Sequence, residues 1–498
     1  MRFVQIDGES LKLEDVERVA KGGVEVKIKR EAEKKIAKSR DFIEEVVRCD
    51  ETVYGVNTGF GKLCSKKISK EDIEKLQRNL IFSHSLSVGP VFSEEEVKAI
   101  MLLRANVLAK GYSGVRGELI QTLVDMINRG VCPLIPEKGS VGASGDLAPL
   151  AFNALVMIGE GWAFYKDRIL TGKEALRRAK IKPLKLLAKE GLALINGTCA
   201  MTAIGALALL KAEKLSRLAD MAGALSAEAA LCTPVAFSEK IQRLRRHPGQ
   251  AQTALNLRQL MKNSQIREFH KACPKVQDPY SFRCMPQVHG AVKDALRYVR
   301  GVLEIEINSA TDNPLIFPEE KEVISGGNFH GEPVALALDF LGMAISELAN
   351  ISERRIAALI DPNISDLPAL LIPNAGINSG FMLPQIVASA LVSENKVLSH
   401  PASVDSIPSS LNQEDHVSMG TISARKAREI VNNVEDVLAI EFLAACQGID
   451  FRVPLRPGEG TLKIYRKIRE KVKRMDEDRV IVGDLIKVKE LMRTEFGF

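Results

Sequence analysis

The segment with the most chemical potential in this sequence is residues 139–146, Gly-Ser-Val-Gly-Ala-Ser-Gly-Asp, followed by LAPLAFNALVMIGEG. Asp146 is suited to cap a helix and Pro149 to stand in its first turn, so the glycine-rich segment is expected at the positive end of a helix. Spacing alone fits a tight loop entering that helix. Two catalytic uses fail on residue type. The Lys-Ser/Thr of a phosphate-binding loop is missing, and Asp146 stands where a G-x-S-x-G nucleophile elbow needs its second glycine. A third use survives: Gly145, free of a side chain, can fold its nitrogen back onto the carbonyl of Ala143. Closing that ring and dehydrating Ser144 would leave an exocyclic alkene conjugated to an imidazolone, an electrophile that no standard side chain supplies.

Further irregular stretches at 54–63, 276–283, 310–314, 325–333 and 399–416 hold much of the chain's Gly, Asn, Asp and Gln. Loops carried on a rigid scaffold are where chemistry is usually placed. An S-x-x-K match at 393–396 lies inside a continuous helical pattern and is read as coincidence.

These stretches carry a family resemblance. GSVGASGDLAPLAF is similar to the signature of the histidine, phenylalanine and tyrosine ammonia-lyases, the aromatic amino-acid ammonia-lyases. YGVNTGFGKL from Tyr54, KEGLALINGT around Asn196, VQDPYSFRCMPQVHG from Val276, NSATDNPLIF from Asn308, ISGGNFHGEPVALALDFLG from Ile324 and PASVDSIPSSLNQEDHVSMG from Pro401 resemble the same family, in its order. The resemblance implies that Ala143, Ser144 and Gly145 form the family's 4-methylideneimidazole-5-one group autocatalytically, with no external cofactor and no metal. Ser83-His84 resembles the histidine branch, where tyrosine-type enzymes carry His-Leu and phenylalanine-type enzymes Phe-Leu. The acid-rich Asn412-Gln-Glu-Asp-His416 resembles that branch too. A carboxylate and a histidine can hydrogen-bond the two nitrogens of an imidazole, whereas a phenyl ring offers nothing to a buried charge.

The implied activity is non-oxidative elimination of ammonia from L-histidine to give trans-urocanate, the first step of histidine degradation. A tyrosine or phenylalanine ammonia-lyase, or an aminomutase, using the same electrophile is the alternative. By resemblance, Tyr54 is the leading general base and Tyr280 the second candidate. Arg283 grips the substrate carboxylate, as a forked guanidinium can. Asn196 and Gln277 hydrogen-bond the electrophile or substrate, Phe329 walls the pocket, and His84 with Glu414 holds the imidazole. Gln413 is a weaker substrate-binding candidate, since it could equally stiffen its loop. One departure bears on strict specificity: Ser85-Leu86-Ser87 stands where the histidine branch usually has Ala-Ala-Gly, placing Leu86 beside His84.

The elements that must position these loops are mostly helical. After a mixed α/β head over 1–110, with β-rich runs VEVKIKR and ETVYGV and an amphipathic segment at 94–109, helical patterns fill 117–129, 146–159, 200–230, 286–307, 333–360, 382–398 and 422–447. In the 286–307 pattern, Val288, Val292, Leu296, Val299 and Leu303 line one face. The predicted fold is mainly α, a helical-bundle domain over 111–498 carrying the electrophile loop; resemblance adds a long central bundle of the aspartase/fumarase-like superfamily. Several helices read apolar nearly all round, which fits burial inside a bundle or at a subunit interface, and resemblance implies a homotetramer whose sites draw loops from more than one subunit. The net charge of +6, from 69 basic and 63 acidic residues, is interleaved and gives no nucleic-acid footprint. The basic run at 463–479 reads as a solvated amphipathic helix. Residues 191–210 are apolar enough to raise a membrane span, but Asn196 and Thr198 favour a buried bundle helix. Eight scattered cysteines without a CxxC or zinc-ligand spacing, and charges in the first twenty residues, fit a reduced cytoplasmic protein whose partner is a small amino acid.

Overall fold

Most segments with apolar spacing of three and four residues form helices in this chain. The protein is described here by a computed structural model covering residues 3–49, 51–59, 61–63, 65–270, 276–494 and 496. Helices Glu94–Ala109, Gly117–Arg129, Leu147–Met157, Cys199–Ala229, Met285–Glu306, Glu332–Ile360, Met382–Leu398 and Gly420–Asp450 occupy the predicted segments. Strands among the described residues are two to four residues long and form small sheets. The expected mainly α fold is the one observed.

The chain divides into two units. The first comprises Met1–Leu210, Arg300–Asp339 and Pro401–Arg425, and the second Lys211–Val299, Phe340–His400 and Lys426–Phe498. No division falls at residue 110, where the sequence reading puts the end of a head, because Glu94–Ala109 and Gly117–Arg129 pack against each other across that point.

In the first unit, strand Phe3–Ile6 pairs in parallel with Glu25–Ile28, burying Val4, Ile6 and Val26. Helix Glu94–Ala109 opens on a capping box, with the Ser93 N–H donating to Glu96 Oε2 at 2.8 Å. It is not amphipathic as expected: every residue from Ala99 to Ala109 is buried, since Leu13–Lys21, Arg30–Arg48 and Gly117–Arg129 cover it. The run ETVYGV is a turn rather than a strand. Asn57 closes it locally, its Oδ1 accepting the Val53 N–H at 2.9 Å and its Nδ2 donating to the Glu51 carbonyl at 2.8 Å. Residues 191–210 do not make one helix either; Glu190–Ile195 ends, Asn196 to Thr198 intervene, and Cys199–Ala229 begins. Helices Ile73–His84, Leu147–Met157 and Glu190–Ile195 pack on one another. Their ends carry His84, the glycine-rich loop and Asn196, so one helical cluster positions three of the predicted loops.

In the second unit the core holds a buried ion pair, Arg355 with Glu441 at 2.5 Å, both fully shielded from solvent. Glu441 also accepts from Ser226 and Ser352. The basic run at 463–479 is helical only to Lys471, the end of Glu459–Lys471; Val472 then turns inward, extended and 2% exposed. Helix Glu332–Ile360 is long and apolar enough to cross a membrane, and 67% of its most apolar stretch is buried inside the structure. Of the eight cysteines, Cys49, Cys132, Cys199, Cys284 and Cys446 are free thiols and Cys232 donates to the Ala230 carbonyl, while Cys64 and Cys273 lie outside the described residues.

Candidate active site

Ala143, Ser144 and Gly145 follow strand Pro136–Lys138, which pairs antiparallel with Val88–Val91, and precede helix Leu147–Met157. The Gly145 N–H turns back to the Gly142 carbonyl at 3.3 Å, and Ser144 and Gly145 both take left-handed backbone angles, φ 49° and 80°. Gly145 lies against Gly197. The Gly197 N–H donates to the Ser144 carbonyl at 3.0 Å, and the Asp146 N–H donates to the Gly197 carbonyl at 2.7 Å. A Cβ on Gly145 would stand 2.2 Å from the Gly197 oxygen, and one on Gly197 would stand 2.6 Å from Thr311 Oγ1. Both positions therefore require glycine. Ala143 packs with Val417 and Met419, so the other side of the loop is apolar.

Asp146 does not cap its own helix through its side chain, as the sequence reading has it. Its Oδ2 instead accepts the N–H groups of Ala200 and Met201, each at 2.8 Å, at the start of Cys199–Ala229. Its Oδ1 accepts the Thr421 hydroxyl at 2.5 Å, in the first turn of Gly420–Asp450. Three helix N-termini thus converge on the residue that follows the loop, and their partial positive charge favours developing negative charge there. Burial pushes the Asp146 carboxyl up to about 6, against the lowering effect of these hydrogen bonds. With its folded pKa above the unfolded value of 3.8, the folded protein holds the extra proton between about pH 4 and pH 6. Its contribution to stability is therefore full below the unfolded pKa and falls as pH rises through 6, by up to about 3 kcal/mol. Denaturant titrations at several pH values are expected to show this slope in the natural protein and its loss in Asp146→Asn; identical slopes would refute the assignment.

Asn196 is buried beside the loop. Its Nδ2 donates to Asp312 Oδ1 and the Asn313 carbonyl, each at 3.3 Å, and its own carbonyl accepts from Arg104 Nη1 at 2.6 Å. Asp312 is held in turn by Lys189 at 2.7 Å, both side chains fully buried. Glu414 reaches the loop directly, its Oε1 accepting the Ser144 hydroxyl at 3.3 Å while Oε2 accepts from Ser409 at 2.6 Å and Ser410 at 2.8 Å. Gln413, one residue earlier, is exposed. His84 ends helix Ile73–His84, half-buried. Its Nδ1 lies 2.9 Å from the Leu80 carbonyl and 3.0 Å from Ser83 Oγ. Leu86 is 77% exposed. Phe329 is half-buried in the turn before helix Glu332–Ile360. Tyr54 is half-buried, and its neighbour Gly55 abuts Leu192 and Pro314, next to the segments bearing Asn196 and Asp312.

Gln277, Tyr280 and Arg283 belong to the second unit. Arg283 donates from Nη2 to Gln277 Oε1 at 2.9 Å and lies over the Tyr280 ring at 4.6 Å; its buried Nε has no hydrogen-bond partner among the described residues. Asp278 accepts the Thr233 N–H at 2.8 Å. Tyr280 is 71% exposed.

The model of the aromatic amino acid lyase family matches residues 11–470. The chain belongs to the aromatic amino acid lyase family. It is 54% identical over 494 residues to the histidine ammonia-lyase of Caldanaerobacter subterraneus, covering 99% of this chain and 97% of the relative. Among solved structures it is similar to the histidine ammonia-lyase of Trypanosoma cruzi, with a TM-score of 0.92, 46% identity, and 99% and 93% of the two chains covered. It is also similar to the tyrosine aminomutase of Streptomyces globisporus, with a TM-score of 0.93, 39% identity, and 98% and 96% covered.

Several residues around this aromatic amino acid lyase's loop escaped sequence reasoning. Arg104 breaks the apolar run AIMLLRANVLA, a signal that a charge there needs an interior partner. Lys189, Asp312 and Thr421 gave no such signal, because polar residues at segment ends are ordinary.

Proposed function

We propose that this protein is a histidine ammonia-lyase, eliminating ammonia from L-histidine without oxidation to leave trans-urocanate. The observation that carries the substrate choice is the Glu414 carboxylate at 3.3 Å from Ser144 Oγ. A half-buried carboxylate beside the reacting loop suits an imidazole N–H and opposes a phenyl ring. His84 supplies the second polar contact to the substrate ring.

Ala143, Ser144 and Gly145 fit the 4-methylideneimidazole-5-one group. The nitrogen that must close the ring belongs to a residue with no room for a side chain, in a turn with left-handed angles at both Ser144 and Gly145. That group supplies an electrophile when formed. Gly197 and Asp146 hold its backbone, and Asn196, fixed by Asp312, stands ready as a hydrogen-bonding neighbour. Arg283, held by Gln277 and lying over the Tyr280 ring, binds the substrate carboxylate. Tyr54 removes the β-proton, with Tyr280 the second candidate for that role. Phe329 walls the pocket, and Gln413 is at most a contact at its rim.

The protein acts as a cytoplasmic homotetramer. Supporting this, helix Met382–Leu398 exposes Leu383 (63%) and Ile386 (50%), apolar surface that a subunit contact would cover.

Incubation with L-histidine is expected to raise the near-ultraviolet absorbance of urocanate, with far slower release of cinnamate or coumarate from phenylalanine or tyrosine. Preference for tyrosine or phenylalanine, or a β-amino acid product, would refute the reading. Glu414→Gln is expected to lose a charge-assisted hydrogen bond of about 1.5–3 kcal/mol. This corresponds to a fall in kcat/KM for L-histidine of about 10- to 100-fold. Steady-state kinetics on histidine and phenylalanine check this, since phenylalanine turnover must not fall in parallel.

A further inference from the structure

Two histidines 86 residues apart meet in the first unit. His330 lies between Phe329 and helix Glu332–Ile360, and His416 follows Glu414 by two positions. Their ring centroids are 5.4 Å apart, and His330 Nε2 stands 3.4 Å from His416 Nδ1. Glu332 completes a group in which one ligand atom from each residue lies within 4.8 Å of the others. Glu332 Oε2 is buried and has no hydrogen-bond partner among the described residues. A carboxylate oxygen withdrawn from water without a donor is costly, and a carboxylate oxygen of this residue shares the group with one ring nitrogen from each histidine.

We propose that His330, Glu332 and His416 bind one divalent transition-metal ion of the zinc class. Two zinc–nitrogen bonds of 2.0–2.1 Å at a tetrahedral angle place their nitrogens about 3.3 Å apart, and the observed spacing is 3.4 Å. Two imidazoles and a carboxylate form a donor set that zinc accepts, with a fourth position left to water. His330 Nε2 becomes a ligand in the tautomer that carries its hydrogen on Nδ1. That tautomer gives up two long contacts, from the Glu332 N–H to Nδ1 at 3.3 Å and from Nε2 to the His416 carbonyl at 3.2 Å. The ion ties the turn bearing Phe329 to the loop bearing Glu414, using none of the residues assigned to the substrate.

The test uses the full-length protein, freed of metal with a chelator and titrated with zinc by calorimetry and with cobalt in the visible spectrum. One equivalent per chain is expected, with cobalt d–d bands and no thiolate charge-transfer band. His330→Ala and His416→Ala are each expected to weaken zinc binding by at least about tenfold, the lower bound even for outer-sphere partners of a metal. Zinc is expected to raise the Tm of the natural protein and not that of His416→Ala. His416 is exposed, so its variant carries the test where His330→Ala fails to fold. Equal zinc affinity in the natural protein and in His416→Ala, or a thiolate band with cobalt, overturns the proposal.

Discussion

Replacing Ser144 with alanine is expected to lower kcat for L-histidine by at least about 10³-fold, or about 4 kcal/mol of barrier, while leaving thermal stability nearly unchanged. The side chain that is lost is a half-buried hydroxyl with one long hydrogen bond, to Glu414 at 3.3 Å, so little folding energy depends on it. Its proposed chemical part is different in kind, because without the Ser144 oxygen the proposed electrophile has nothing to dehydrate. The backbone contacts of Gly197 with Ser144 and Asp146 remain available to the variant. Steady-state urocanate formation and a thermal melt, run on the same preparation, separate the two effects. Activity within tenfold of the natural protein would remove Ser144 from the chemistry.

The largest expected effect on stability lies in the second unit. Glu441→Ala strips both Arg355 contacts, at 2.5 and 2.8 Å, from a pair fully shielded from water. An uncompensated buried guanidinium costs about 3–5 kcal/mol. Arg355 also donates to the Ser281 carbonyl at 3.3 Å, inside the short helix Tyr280–Arg283. The loss is therefore expected to reach Arg283, and KM for L-histidine rises together with the fall in denaturation midpoint. Urea denaturation with matched kinetics checks both. A midpoint shift below about 1 kcal/mol equivalent, the scale of an exposed pair, would contradict the assignment of this pair as a structural keystone.

The helices were legible because apolar periodicity is local. The helix predicted at 117–129 forms as Gly117–Arg129, and Val292, Leu296, Val299 and Leu303 are buried on the predicted face. Elements whose state depends on distant cover were less legible. Residues 94–109 read as amphipathic from their own spacing, and three other helices make them interior. ETVYGV reads as strand by propensity, and Asn57 closes it as a turn. The glycine-rich loop at 139–146 was legible in residue type as a turn before a helix, but its restraint was not. Gly197, Thr421 and the starts of two helices reach it from 52 to 275 residues away in sequence, and no local pattern encodes such contacts. The His330–His416 approach is the same case: neither histidine has metal-ligand spacing with any other, and only the tertiary fold brings them together with Glu332.

The most direct test of the central claim is the mass of the peptide spanning residues 139–146, released from the active, purified protein by proteolysis. Cyclisation of Ala143 to Gly145 with dehydration of Ser144 makes that peptide lighter by two water molecules, and this is the mass expected. An unmodified mass in a preparation that releases ammonia from L-histidine at full rate would contradict the account.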